Sequence, residues 1–60
     1  MQPQLSTAST ALQELTARIT DLAAEAAQDR REDVAGVLYE IERSLRAAAR
    51  RLEQLVSELR

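Results

Sequence analysis

The chain has 60 residues, 45% of them hydrophobic and 30% charged, with a formal net charge of −2 at pH 7 and neither Cys nor His. These numbers exclude a disulfide framework and argue against a zinc or haem centre. Acidic and basic residues are interspersed, which argues against a strong general attraction to nucleic acid or anionic lipid, and no apolar run reaches the length of a membrane span.

Residues 1–4, Met-Gln-Pro-Gln, read as a short disordered tail without signal-peptide character. Pro3 would suit the first turn of a helix, where its missing N–H does no harm. Alternatively the helix begins later, capped by Ser6, Ser9 or Thr10, with Thr10 and Gln13 forming a capping box. The apolar repeat is already in phase at Leu5 and Ala8, so helix 1 is predicted over about 4–27. In a heptad lettered a to g with Leu5 at a, the a and d positions are Leu5, Ala8, Leu12, Leu15, Ile19, Leu22 and Ala26.

Six polar residues, Gln28 to Asp33, interrupt this repeat, and a turn is predicted at about 28–31. Asp29 with Glu32 reads as a capping box for a second helix, Asp33 being the alternative cap. Neither Gly nor Pro marks the turn, so the rival is one continuous helix of about 55 residues with a phase discontinuity at its middle.

Helix 2 is predicted from about residue 31 to the end, with Val34, Leu38, Ile41, Leu45, Ala48, Leu52, Leu55 and Leu59 at a and d. Gly36 falls at an outward position near its start. The two stripes mirror each other about residue 30: Leu22 falls opposite Leu38, Ile19 opposite Ile41 and Leu15 opposite Leu45. Each matched pair joins an a to a d, as antiparallel helices require. Large meets small where Ala8 faces Leu52 and Leu12 faces Ala48. The fold class is therefore all-α, a single antiparallel two-helix hairpin.

A hairpin this short buries one stripe of each helix and needs a staple; without disulfide or metal, self-association remains. Small apolar residues flank the stripes: Ala23, Ala35, Ala49 and Val56 at e, Ala11 and Val37 at g. They would stay wet in an isolated hairpin and be buried between two. The expected assembly is a homodimeric four-helix bundle. Its predicted core and oligomer interface are Leu12, Leu15, Ile19 and Leu22 on helix 1, with Leu38, Ile41, Leu45, Ala48, Leu52, Leu55, Val56 and Leu59 on helix 2.

Four groups are candidates for chemistry or recognition. Arg43, Arg46 and Arg50 share the outer face of helix 2 with Tyr39 one turn earlier, a pattern that could contact a nucleic-acid backbone, with Arg18 on helix 1 as an added contact. The favoured reading of the same residues is a solvated face paired through Glu42–Arg46, Glu40–Arg43 and Arg50–Glu53. Arg30 and Arg31, among Asp29, Glu32 and Asp33, could form a docking point at the turn. The carboxylates Glu14, Asp21, Glu25, Glu40, Glu42, Glu53 and Glu58 read as surface charge, since every a and d position is apolar and no His completes a di-metal motif. Nucleophile triads and phosphate-cradling Gly loops are absent. The C-terminal cluster Leu52, Leu55, Val56 and Leu59 is broader than one seam requires, and could complete a bundle end or dock a larger protein partner.

At the level of architecture the chain resembles the Rop (Rom) family of plasmid RNA-binding hairpins, through its length, its turn near residue 30 and the a/d pattern above. The resemblance implies an antiparallel four-helix dimer. It also implies RNA binding through the outer face of the paired first helices, by basic, amide and aromatic side chains. The corresponding positions here include Thr10, Glu14, Arg18 and Glu25, of which only Arg18 is basic.

The expectation is a non-enzymatic, cofactor-free protein–protein interaction module acting as a homodimer, with a nucleic-acid-binding regulator as the alternative. All eight basic residues are Arg and Ala is abundant, which suggests a GC-rich bacterial genome and, without Cys, a cytoplasmic setting.

Overall fold

The computed structural model describes residues 1–60 as two helices, α1 (Gln2–Gln28) and α2 (Glu32–Glu58), packed antiparallel as a hairpin. Each has 27 residues, and their ends mirror residue 30: Gln28 and Glu32 at the turn, Gln2 and Glu58 at the open end. The molecule measures 45 × 14 × 10 Å. An unbroken helix of this length would run to about 80 Å at 1.5 Å per residue, so the continuous rod is excluded.

The N-terminus is more ordered than its composition predicts. Residues 2–4 form the first turn of α1 rather than a disordered tail, with Pro3 at the position where it costs no hydrogen bond. The Leu5 N–H donates to the Met1 carbonyl at 3.1 Å. The early start read from Leu5 and Ala8 holds, so Thr10 and Gln13 lie inside the helix and the alternative capping box does not form.

The turn solves its missing glycine with an arginine. The Arg31 N–H donates to the Ala26 carbonyl at 2.8 Å and the Arg30 N–H to the Ala27 carbonyl at 3.1 Å. This is a Schellman closure, which requires a left-handed residue between helix end and turn. Arg30 takes that conformation, with φ 61°. The predicted caps of α2 are corrected here: Asp29 closes α1 rather than opening α2, and Arg31 precedes α2 with no side-chain cap. Glu32 and Asp33 still occupy the first turn of α2, where negative charge suits the helix dipole. The 4.0 Å contact between Arg31 and Asp33 joins two exposed side chains and adds little.

The seam between the helices is the main departure from the expected packing. The buried residues are Ser9, Thr16 and Ala23 on α1 and Ala35, Ala49 and Val56 on α2, with Ala23 fully enclosed. All six are e positions, and Glu42, half-buried, completes the series on α2. Ala23, Ala35, Ala49 and Val56, expected to stay wet in a lone hairpin, are instead its innermost side chains. The leucines sit beside the seam. Small residues at the line of closest approach let two helix backbones come together, whereas leucines there would hold them apart. Thr16 adds no unsatisfied polarity, because its hydroxyl donates to the Leu12 carbonyl at 2.7 Å, and no buried side-chain polar atom lacks a partner.

Candidate functional site

With e turned inward, the helical period places every a position about 40–60° and every d position about 100° from the seam. In antiparallel partners these offsets fall on the same side. One broad surface of the hairpin therefore carries both leucine stripes, and the opposite surface carries the b and f positions.

The apolar surface is half-covered. Leu12, Ile19, Leu38, Leu45 and Leu52 are intermediate in burial, each sheltered on one side by the partner helix. Leu15, Leu22, Ile41 and Leu55 retain 40–48% of their accessible surface, Val34 36% and Leu59 48%. Ala48 is exposed as well. Of the twelve predicted core residues, Val56 alone is buried within one chain; the others line this face. At its turn end lies a shallow depression formed by Asp33, Val34, Val37 and Leu38, with Val37 exposed to 57%.

The opposite surface is a polar groove. Ser6, Thr10 and Gln13 of α1 face Glu53 and Ser57 of α2 and Arg60 just beyond it, and further along Gln13, Thr16 and Ala17 face Arg46, Arg50 and Glu53. Cross-helix hydrogen bonds tie it shut. Gln13 donates its amide to the Glu53 carboxylate, Thr20 donates its hydroxyl to Glu42 Oε2 at 2.7 Å, and the Gln2 amide reaches the Val56 carbonyl at 3.5 Å. Arg46 donates to the same Glu42 oxygen through Nε at 3.0 Å and a terminal nitrogen at 2.7 Å. The Thr20 hydroxyl, then the Arg46 guanidinium, hold the Glu42 carboxyl below the usual carboxylate range against the opposing effect of desolvation.

Of the arginine candidates, Arg46 and Arg50 line the polar groove, and Arg18 lies apart from them. Arg46 is committed to Glu42, as the expected i,i+4 pair. The Glu40–Arg43 and Arg50–Glu53 pairs do not form, and Glu53 takes Gln13 instead. Arg50 lines the polar groove, and Tyr39 lies exposed at 44%. Arg18 stands two residues from buried Thr16, about 200° round α1, and so points away from α2 and from the other arginines. Arg30 lies at the turn, where its backbone closes α1 and its side chain is exposed. Nowhere do three acidic side chains converge on a cation-sized site.

Gly36 opens onto space, since a Cβ built there would meet nothing within 4 Å; it serves no close approach. The sequence does hold a signal for the seam that the leucine pattern overshadows: Ser9, Thr16 and Ala23 repeat every seven residues, as do Ala35, Glu42, Ala49 and Val56. No helix is long and apolar enough to cross a membrane. Comparison with protein-family models, with curated proteins and with solved structures returned no match. What the chain shares with Rop-like hairpins is the antiparallel two-helix architecture.

Proposed function

We propose that this hairpin is one half of a homodimeric four-helix bundle and serves as a non-enzymatic protein–protein interaction module. The observation that carries the reading is the continuous leucine face, open along the length of the molecule. Its outline, 45 by 14 Å, is roughly 600 Å² in projection, close to the ~800 Å² per partner of a stable protein interface. An apolar face running the length of so small a molecule is of the kind that marks interaction sites. The flanking g positions alternate in sign, Arg18 with Glu25 and Arg51 with Glu58. They offer a second protein surface both charges, and an anionic lipid no uniform field.

The polar groove and outer helix faces remain free in such a dimer and would carry contacts to a larger partner. The dimer reading is tested by solution mass, expected at twice the 6.7 kDa of one chain. Leu45→Asp, which puts a charge into the half-covered face, is expected to abolish folding. A stable helical monomer, in the native chain or the variant, would refute the reading. The alternative, a nucleic-acid-binding regulator, would rest on Arg43 and Arg50 beside the polar groove. Salt-dependent binding of RNA or DNA lost on Arg50→Glu would support it, and absence of binding at low salt would remove it.

A further inference from the structure

The two ends of the apolar face differ in thickness. At the turn end the facing residues are the small Ala26 and Val34, and beside them lies the depression lined by Val34, Val37 and Leu38. At the open end stand Leu5, Leu55 and Leu59, with Met1 exposed to 86% beyond them. The outermost layer is thus thick at the termini and thin at the turn, and the next two layers reverse this: Ala8 with Leu52 and Leu12 with Ala48 near the termini, Leu22 with Leu38 and Ile19 with Ile41 near the turn.

A second copy can meet this uneven face in two ways. With both turns at the same end, thick meets thick and thin meets thin. Four leucines (Leu5 and Leu55, twice) then fill one terminal layer, while two alanines and two valines fill the other. The two layers next to the open-end one hold two alanines each, from Ala8 and Ala48. Helix axes 8–10 Å apart follow the size of the side chains between them, so the helices would have to splay around the all-leucine layers or leave voids at the layers with two alanines.

With the turns at opposite ends, thick meets thin. Leu5 and Leu55 then share a layer with Ala26 and Val34 of the second copy. Ala8 and Leu52 meet Leu22 and Leu38; Leu12 and Ala48 meet Ile19 and Ile41. The central layer is Leu15 and Leu45 from both copies. No layer contains more than one alanine, and the bundle keeps an even diameter along its length.

We propose that the second copy docks with its turn at the opposite end, so that its Leu55 enters the depression formed by Val34, Val37 and Leu38. Leu55 comes level with residue 35 in this arrangement. Its side chain leans toward the N-terminus of its own helix, and therefore toward Val37 and Leu38. Leu59 of the second copy then covers the chain where it enters α2. The inference rests on the homodimer reading, and its test separates the two.

The chain has no Cys, so a single nitroxide attached through Arg30→Cys reports the distance between the two turns. Opposite ends give a separation near the 45 Å length of the molecule. A separation under about 20 Å, the reach across a bundle of neighbouring helices, overturns the arrangement and leaves the dimer standing. A monomeric mass with no dipolar coupling overturns both. The second measurement leaves the turn untouched. Val37→Cys and Leu55→Cys proteins, mixed in equal amounts and oxidised, should yield a disulfide-linked heterodimer as the main product. Its absence from a mixture of demonstrated dimers would count against the docking.

Discussion

Replacing Arg30 by Gly tests the hairpin through the sign of a stability change. Arg30 is held at φ 61° by the two hydrogen bonds that close α1. A side chain with a Cβ is strained there by roughly 1–2 kcal/mol, which Gly avoids. Gly also raises the entropy of the unfolded chain, returning about 0.4–1 kcal/mol. The expected balance for Arg30→Gly is a gain of about 0.5–1 kcal/mol per chain. For a domain this small that is a rise of roughly 3–6 °C in Tm. Arg30→Ala is the matched control, because Ala keeps the Cβ and gains none of this relief. In a continuous helix the order reverses: Ala is the best helix former, and Gly costs about 1 kcal/mol relative to it. Both variants and the parent should be melted by circular dichroism at one protein concentration. A Gly variant melting below the Ala variant would refute the left-handed turn and the hairpin with it.

Three further perturbations address the seam and the helices. Ala49→Leu inserts bulk at a position only 8% exposed between the helices and should destabilise by about 1–3 kcal/mol in urea titration; a neutral effect would show that the helices do not meet through their e positions. The Glu42 carboxyl is held low by Thr20 and Arg46, so its contribution is present above the ordinary value of 4.5 and fades as pH falls through the lowered one. Glu42→Gln should therefore flatten the acid limb of the stability–pH curve below about pH 4.5; parallel curves for variant and parent would contradict the pairing. Gly36→Ala adds a methyl group into open space and should raise stability by up to ~1 kcal/mol, with a lower Tm arguing that Gly36 has an unseen neighbour.

Much of the architecture is legible in the order of residues. A 3–4 apolar repeat, broken by six polar residues and resumed with mirrored phase, points to two helices folding back near residue 30, because helical period and turn polarity are local properties. The same pattern marks the leucine face, which is the candidate interaction site. Arg30 was hidden from such reasoning: a left-handed arginine has no compositional signature, and its strain is tolerated because packing along the whole seam fixes the fold around it. Equally hidden was the separation of Arg18 from Arg46, since cations on two helices share a face only if the rotation of both helices is known, and these two lie on different sides of the hairpin.

What the sequence by itself determined is which residues are apolar, at what period, and where the chain reverses. How far each helix turns about its own axis was decided only in the tertiary structure. That rotation depends on how near two backbones can come. Ser9, Thr16, Ala23, Ala35 and Ala49 permit a closer approach than any leucine layer would. The small residues therefore take the seam, and the leucines are left facing outward along one side, where a second surface can reach them.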